Sequence, residues 1–139
     1  MTVTSVPAAS RWRTAGVTVL AVALAAAGTT VAAFAALAVG ADPSFAPLTP
    51  PVYLSFAIVG TLVAVAGWVL VVRRVRRSAR MLGILVPVLL VLSLIPDVIV
   101  LLTGFIPGTT VTGVVGLMLM HPIVVGAAVL AGRTIAPPR

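Results

Sequence analysis

The sequence predicts an all-α fold: an integral membrane four-helix up-down bundle with its N-terminus and C-terminus both cytoplasmic. Three observations carry this. Four apolar runs, Thr14 to Gly40, Val52 to Val72, Met81 to Thr103 and Val111 to Ala131, each approach or exceed the ~20 residues that cross ~30 Å of hydrocarbon. All nine basic residues are arginines, and none lies inside a run. A chain of 139 residues that is 61% hydrophobic and 8% charged cannot clothe a water-facing surface, so lipid is its solvent.

The first run follows Arg11, Trp12 and Arg13. Arginines, an apolar stretch and Val39-Gly40-Ala41 are also the parts of a signal peptide, but a signal's apolar core runs ~7 to 15 residues and this one is long enough to span, so the first helix is expected to be retained. Ala21, Ala25, Gly28, Ala32 and Ala36 recur along it at three- and four-residue intervals, which lets another backbone approach closely. Packing within the bundle is the preferred use of this stripe, and a dimer face the alternative. Between the first two runs, Pro43, Pro47, Pro50 and Pro51 stiffen an outer loop in which Asp42 caps a turn.

The second run ends at a loop holding Arg73, Arg74, Arg76, Arg77 and Arg80. Together with Arg11 and Arg13 before the first run, and Arg133 and Arg139 after the fourth, these cations all fall on one side of a threaded bilayer, which is the cytoplasmic side by the positive-inside rule. The loop is expected to meet anionic inner-leaflet lipids, at roughly 1 kcal/mol per arginine near the surface. The net charge of +7 and pI near 12 therefore reflect loops flanking spans, not a nucleic-acid surface. Trp12 and Trp68 near the cytoplasmic boundary, and Tyr53 and Phe105 near the opposite one, are placed as interfacial anchors.

The third run carries Asp97 and the fourth His121, the two ionisable groups inside the spans. At ~1.5 Å per residue, Asp97 lies ~9 Å and His121 ~15 Å below the outer boundary. Side chains tilt toward their own helix N-terminus, so on antiparallel neighbours the two lean toward each other and a hydrogen-bonded pair is allowed. Eight Leu, three Ile and five Val contribute about −5 to −10 kcal/mol to insertion of the third run, against roughly +3 for Asp97, so the helix inserts with its acid. Pro96 and Pro122 each remove a helix donor beside these residues, which predicts kinks. Ser93 shares the face of Asp97, and Thr29, Thr30 and Thr61 fall at comparable depth, which outlines a small polar pocket in the outer half. Gly113 and Gly116 repeat the small-residue device in the fourth run, and consecutive spans are expected to pack as neighbours in one domain, residues 1–139.

More specific chemistries find little support. With one histidine, no cysteine and Asp42 alone in the outer loop, no metal or cofactor is expected, and a Ser93-His121-Asp97 triad would need the imidazole between two groups that stack one turn apart. The arginine-rich loop running into Leu89-Leu90-Val91-Leu92-Ser93-Leu94-Ile95-Pro96, and Leu117-Met118-Leu119-Met120-His121 in the last run, resemble a family of small four-span actinobacterial integral membrane proteins catalogued as a domain of unknown function. The resemblance implies fold and membrane location, and no activity. Small multidrug transporters also have four spans, but their acid lies in the first, where this chain has none.

Two functional expectations follow. The preferred one is a structural or accessory protein of the cell membrane, not an enzyme, associated with lipid, with a larger membrane complex or with further copies of itself, in which Asp97 and His121 set helix register. The alternative is a small transporter or intramembrane enzyme with a polar pocket around them.

Overall fold

The computed structural model describes residues 8–139, with side chains from Ser10; the first residues of the expected N-terminal tail, 1–7, lie outside that range. The chain forms α1 (Ala8–Ala38), a 3-10 turn (Ala46–Leu48), α2 (Pro50–Arg74), α3 (Ser78–Ser93), α4 (Ile95–Thr103) and α5 (Val111–Ile135). With α3 and α4 taken together, four helical segments are long and apolar enough to cross a membrane: Ser10–Ala38, Pro50–Arg74, Ser78–Thr103 and Val111–Ile135. Their outer faces carry Val19, Phe34, Phe56, Val63, Val91 and Leu102 in the open, which only a lipid surround tolerates. This is a multi-pass membrane protein.

The third span is interrupted for one residue, Leu94, whose backbone stays in the right-handed helical region (φ −81°, ψ −14°). Pro96 has no N–H to continue the ladder and occupies the first turn of α4, while Leu94 ends α3 by donating its N–H to Val91 O at 3.2 Å. Pro122, by contrast, sits within an uninterrupted α5, and Pro87 within α3. Gly104 closes α4 at φ +60°, a left-handed conformation glycine adopts without a Cβ penalty, and its N–H bonds Val100 O at 2.9 Å. Thr110 opens α5 by accepting the Gly113 N–H on its hydroxyl.

The helices do not simply pack on their neighbours in sequence. The most extensive contact joins α1 to α5, and α2 closes a three-helix core against both, while the third span touches this core more sparsely. Small residues explain the first contact: a Cβ on Gly116 would fall 2.5 Å from Ala36 Cβ, and one on Gly28 2.5 Å from Ile123 Cγ2. Thr29 is buried in the same α1 stripe between Ala25 and Ala33. The third span is rich in Leu, Ile and Val all round, so nothing in its pattern selects a buried face, and α3 buries only Ser78 and Leu82.

Two apolar clusters close the ends. At one, Phe45 from the loop after α1 is fully buried with Ala33, Ala36, Tyr53 and Val114, so this loop plugs the bundle instead of merely bridging two spans. Its Asp42 forms the expected turn, accepting the Ser44 N–H at 2.8 Å. At the other, Ala21, Val65, Ala128 and Ala131 pack together. Trp12 and Phe105 are exposed, as anchors should be, but Tyr53 and Trp68 are buried. Trp68 packs on Gly132 and donates its Nε1–H to Ala136 O at 3.0 Å, which draws the indole inward from the boundary.

Candidate functional site

The sparse packing of the third span leaves a groove of about 730 Å³ between α2 on one side and α3, α4 and α5 on the other. Its floor is α5, through Leu117, His121, Val125 and Ala128, and its walls include Tyr53, Ala57 and Gly60 on α2 and Leu85, Leu89 and Pro96 on the third span. Phe56, Val63 and Leu89 on the rim are also exposed on the outer surface, so the groove opens sideways between α2 and α3, where acyl chains lie in a bilayer. From Tyr53 to Trp68 it follows fifteen residues of α2, roughly 22 Å.

Asp97 and His121 meet in this groove. The interruption at Leu94 starts α4 two residues before Asp97 and places the acid in its first turn. His121 Nδ1 lies 3.4 Å from Asp97 Oδ2 and 3.1 Å from Leu117 O, one turn earlier on its own helix. A carbonyl only accepts, so the shorter contact makes Nδ1 the protonated nitrogen, donating to Leu117. Asp97 is 4% exposed, and its buried Oδ2 finds no hydrogen-bond partner among the described residues.

The other candidate residues divide. Thr29 and Ser93 line the groove, whereas Thr30 and Thr61 are not part of its lining. All four hydroxyls donate to carbonyls of their own helices: Thr29 to Ala25 and Ala26, Thr30 to Ala26, Thr61 to Ala57 and Ser93 to Leu90. The expected small polar pocket is therefore a long apolar groove with one polar station. Sequence reasoning missed its walls; the signal available was the run of small residues Ala57, Gly60 and Ala64 on α2, which leaves room along that face of the helix.

The arginine-bearing ends of α1, α2, α3 and α5 all lie at the opposite end of the bundle from Phe45. Arg73, Arg74, Arg76, Arg77 and Arg80 are exposed there. The last residues cross to this loop: Ser78 Oγ accepts the Arg139 N–H at 2.9 Å, and the Ala79 N–H donates to Arg139 O at 2.9 Å, so residue 139 caps the start of α3. Among the described residues no group of three or more His, Cys, Asp or Glu is gathered that could hold a metal ion.

No curated protein and no solved structure matches the chain. Residues 6–136 match a family described as a family of unknown function (DUF6069), and the chain belongs to that family.

Proposed function

We propose that the protein is an accessory component of the cell membrane that holds one apolar chain of a bilayer lipid in the groove between α2 and the third span, with both termini on the cytoplasmic side. The groove carries this reading. Its volume falls in the ~300 to 1,000 Å³ range of small-molecule sites. Its length suits an extended chain, and its mouth faces the hydrocarbon from which such a chain enters. The exposed arginines favour an anionic leaflet at the cytoplasmic end and supply no chemistry of their own.

The test is labelling in nanodiscs with a phospholipid bearing a mid-chain diazirine, followed by peptide mapping. Labels should concentrate on Val63, Leu85 and Val125 in preference to Val31 and Phe34, which are exposed on α1 away from the groove. Filling the groove with Ala64→Phe should remove that preference. Even labelling of all apolar faces overturns the reading.

A second reading, a small transporter or intramembrane enzyme that moves a proton through Asp97 and His121, draws on their 3.4 Å approach. It requires both side chains to exchange protons with water. Proton flux into proteoliposomes that is abolished by both Asp97→Asn and His121→Gln supports it, and flux unchanged by either sinks it.

A further inference from the structure

The chemistry at the polar station selects the head of the bound chain, an inference that rests on the groove reading above. With His121 Nδ1 directed to Leu117 O, Nε2 is the ring nitrogen left without a partner among the described residues. The Asp97 carboxyl accepts no hydrogen bond from the described residues. The neighbouring hydroxyl protons are already committed, Thr29 to Ala25 and Ser93 to Leu90. The station therefore leaves a carboxyl and a ring nitrogen unsatisfied, in a place where water is replaced by hydrocarbon and an unmet polar group is costly.

A phosphate, carboxylate, ester or ether head brings only acceptors, so it leaves at least one of the two groups unmet. A head with an O–H donates one hydrogen bond and accepts another, so it spans both groups whichever of them carries the proton they share, accepting from that one and donating to the other. An ammonium head would donate too, but entry is sideways through hydrocarbon, which excludes a permanent charge far more strongly than a hydroxyl. We infer that the groove binds a neutral, hydroxyl-headed apolar chain, a long-chain alcohol or a phenol-headed lipid, with the hydroxyl bridging the Asp97 carboxyl and His121 Nε2.

The experiment compares three diazirine-bearing probes of equal chain length with the whole protein in nanodiscs: a long-chain alcohol, its methyl ether and the corresponding primary ammonium. The expected result is groove labelling by the alcohol at about 10-fold lower half-saturating concentration than the ether, equivalent to 1.4 kcal/mol. The ammonium should label more weakly than the alcohol. Asp97→Leu should shrink the alcohol's advantage over the ether while the chain still labels Leu85 and Val125. Asp97→Asn, which supplies an amide donor, should improve ether labelling.

Equal labelling by alcohol and ether in the wild-type protein overturns the assignment of the head and leaves the groove reading standing. This comparison needs no variant to fold. Preference for the ammonium overturns the neutral head. Labelling of the groove by none of the probes overturns the groove reading itself.

Discussion

Gly132 lies so close beneath the Trp68 indole that a Cβ there would fall 2.5 Å from Trp68 Cγ and 2.6 Å from Cδ2. The contact joins α2 to the last turn of α5 and lets the indole reach Ala136 O. Gly132→Val would force the ring out of this seat, with an overpacking cost of about 1 to 3 kcal/mol. Trp68→Phe keeps the apolar ring and removes the hydrogen bond, worth about 0.5 to 1.5 kcal/mol net. Denaturant titration of detergent-solubilised protein should rank wild type above Trp68→Phe and Trp68→Phe above Gly132→Val. Equal stability of wild type and Gly132→Val would mean the indole is seated elsewhere.

The same logic separates two glycines on different helices. A Cβ on Gly116 meets Ala36 Cβ at 2.5 Å, a methyl fixed to the α1 backbone, while Gly16 has nothing within 4 Å. Alanine in a helix interior gains about 1 kcal/mol over glycine. At position 16 that gain stands alone, so Gly16→Ala should stabilise by up to about 1 kcal/mol. At position 116 it is set against about 1 to 3 kcal/mol of overpacking, so Gly116→Ala should be neutral to about 2 kcal/mol destabilising. A melting temperature that rises for Gly116→Ala would show that α1 and α5 are farther apart than described.

These contacts show which parts of the fold were legible beforehand. The four spans were, because crossing hydrocarbon demands a composition no other structure shares. The meeting of Asp97 and His121 was, because helix rise and side-chain tilt fix depth, and only one acid and one histidine lie within the spans. Packing order was not. In lipid, Leu, Ile and Val face solvent and core alike, so the third span carried no face to read, and its outward placement and the groove it leaves emerge only from the structure. The Phe45 plug was hidden for a different reason, since one aromatic in a proline-rich loop has no periodicity. Its only trace was the glycines it packs against, Gly108 and Gly113.

Asp42 makes the turn after α1 sensitive to acid. The Ser44 hydroxyl and the Ser44 backbone N–H hold its carboxyl below the ordinary value of 3.8. A carboxyl lowered in the folded state contributes stability that is fully present above its unfolded pKa and is lost as pH falls through the lowered folded one. The turn should therefore hold at neutral pH and loosen only below the ordinary carboxylate range. Titration of the Asp42 side chain by NMR in micelles should give a midpoint below 3.8 that moves up in Ser44→Ala. A midpoint unmoved by that change would remove Ser44 as the cause.

Topology supplies the last prediction. The junction from the end of α2 to the start of α3, Arg73 to Arg80, holds five of the nine arginines, all exposed, and the two loops at the opposite end hold none. Orientation during insertion follows the Lys and Arg bias of short loops, to which the first span's flanks also contribute. Replacing Arg73, Arg74, Arg76, Arg77 and Arg80 by Gln leaves Arg11, Arg13, Arg133 and Arg139, which still mark the same end. The five-fold variant should therefore insert as a mixture, with the inverted population rising further when Arg11 and Arg13 are also replaced. Single cysteines at the exposed positions Ser44 and Ala79, introduced into a chain that has none, report the two sides to a membrane-impermeant thiol reagent. If the five-fold variant keeps one orientation, the central loop does not determine topology, and its charge would then be free for a partner or an anionic lipid head.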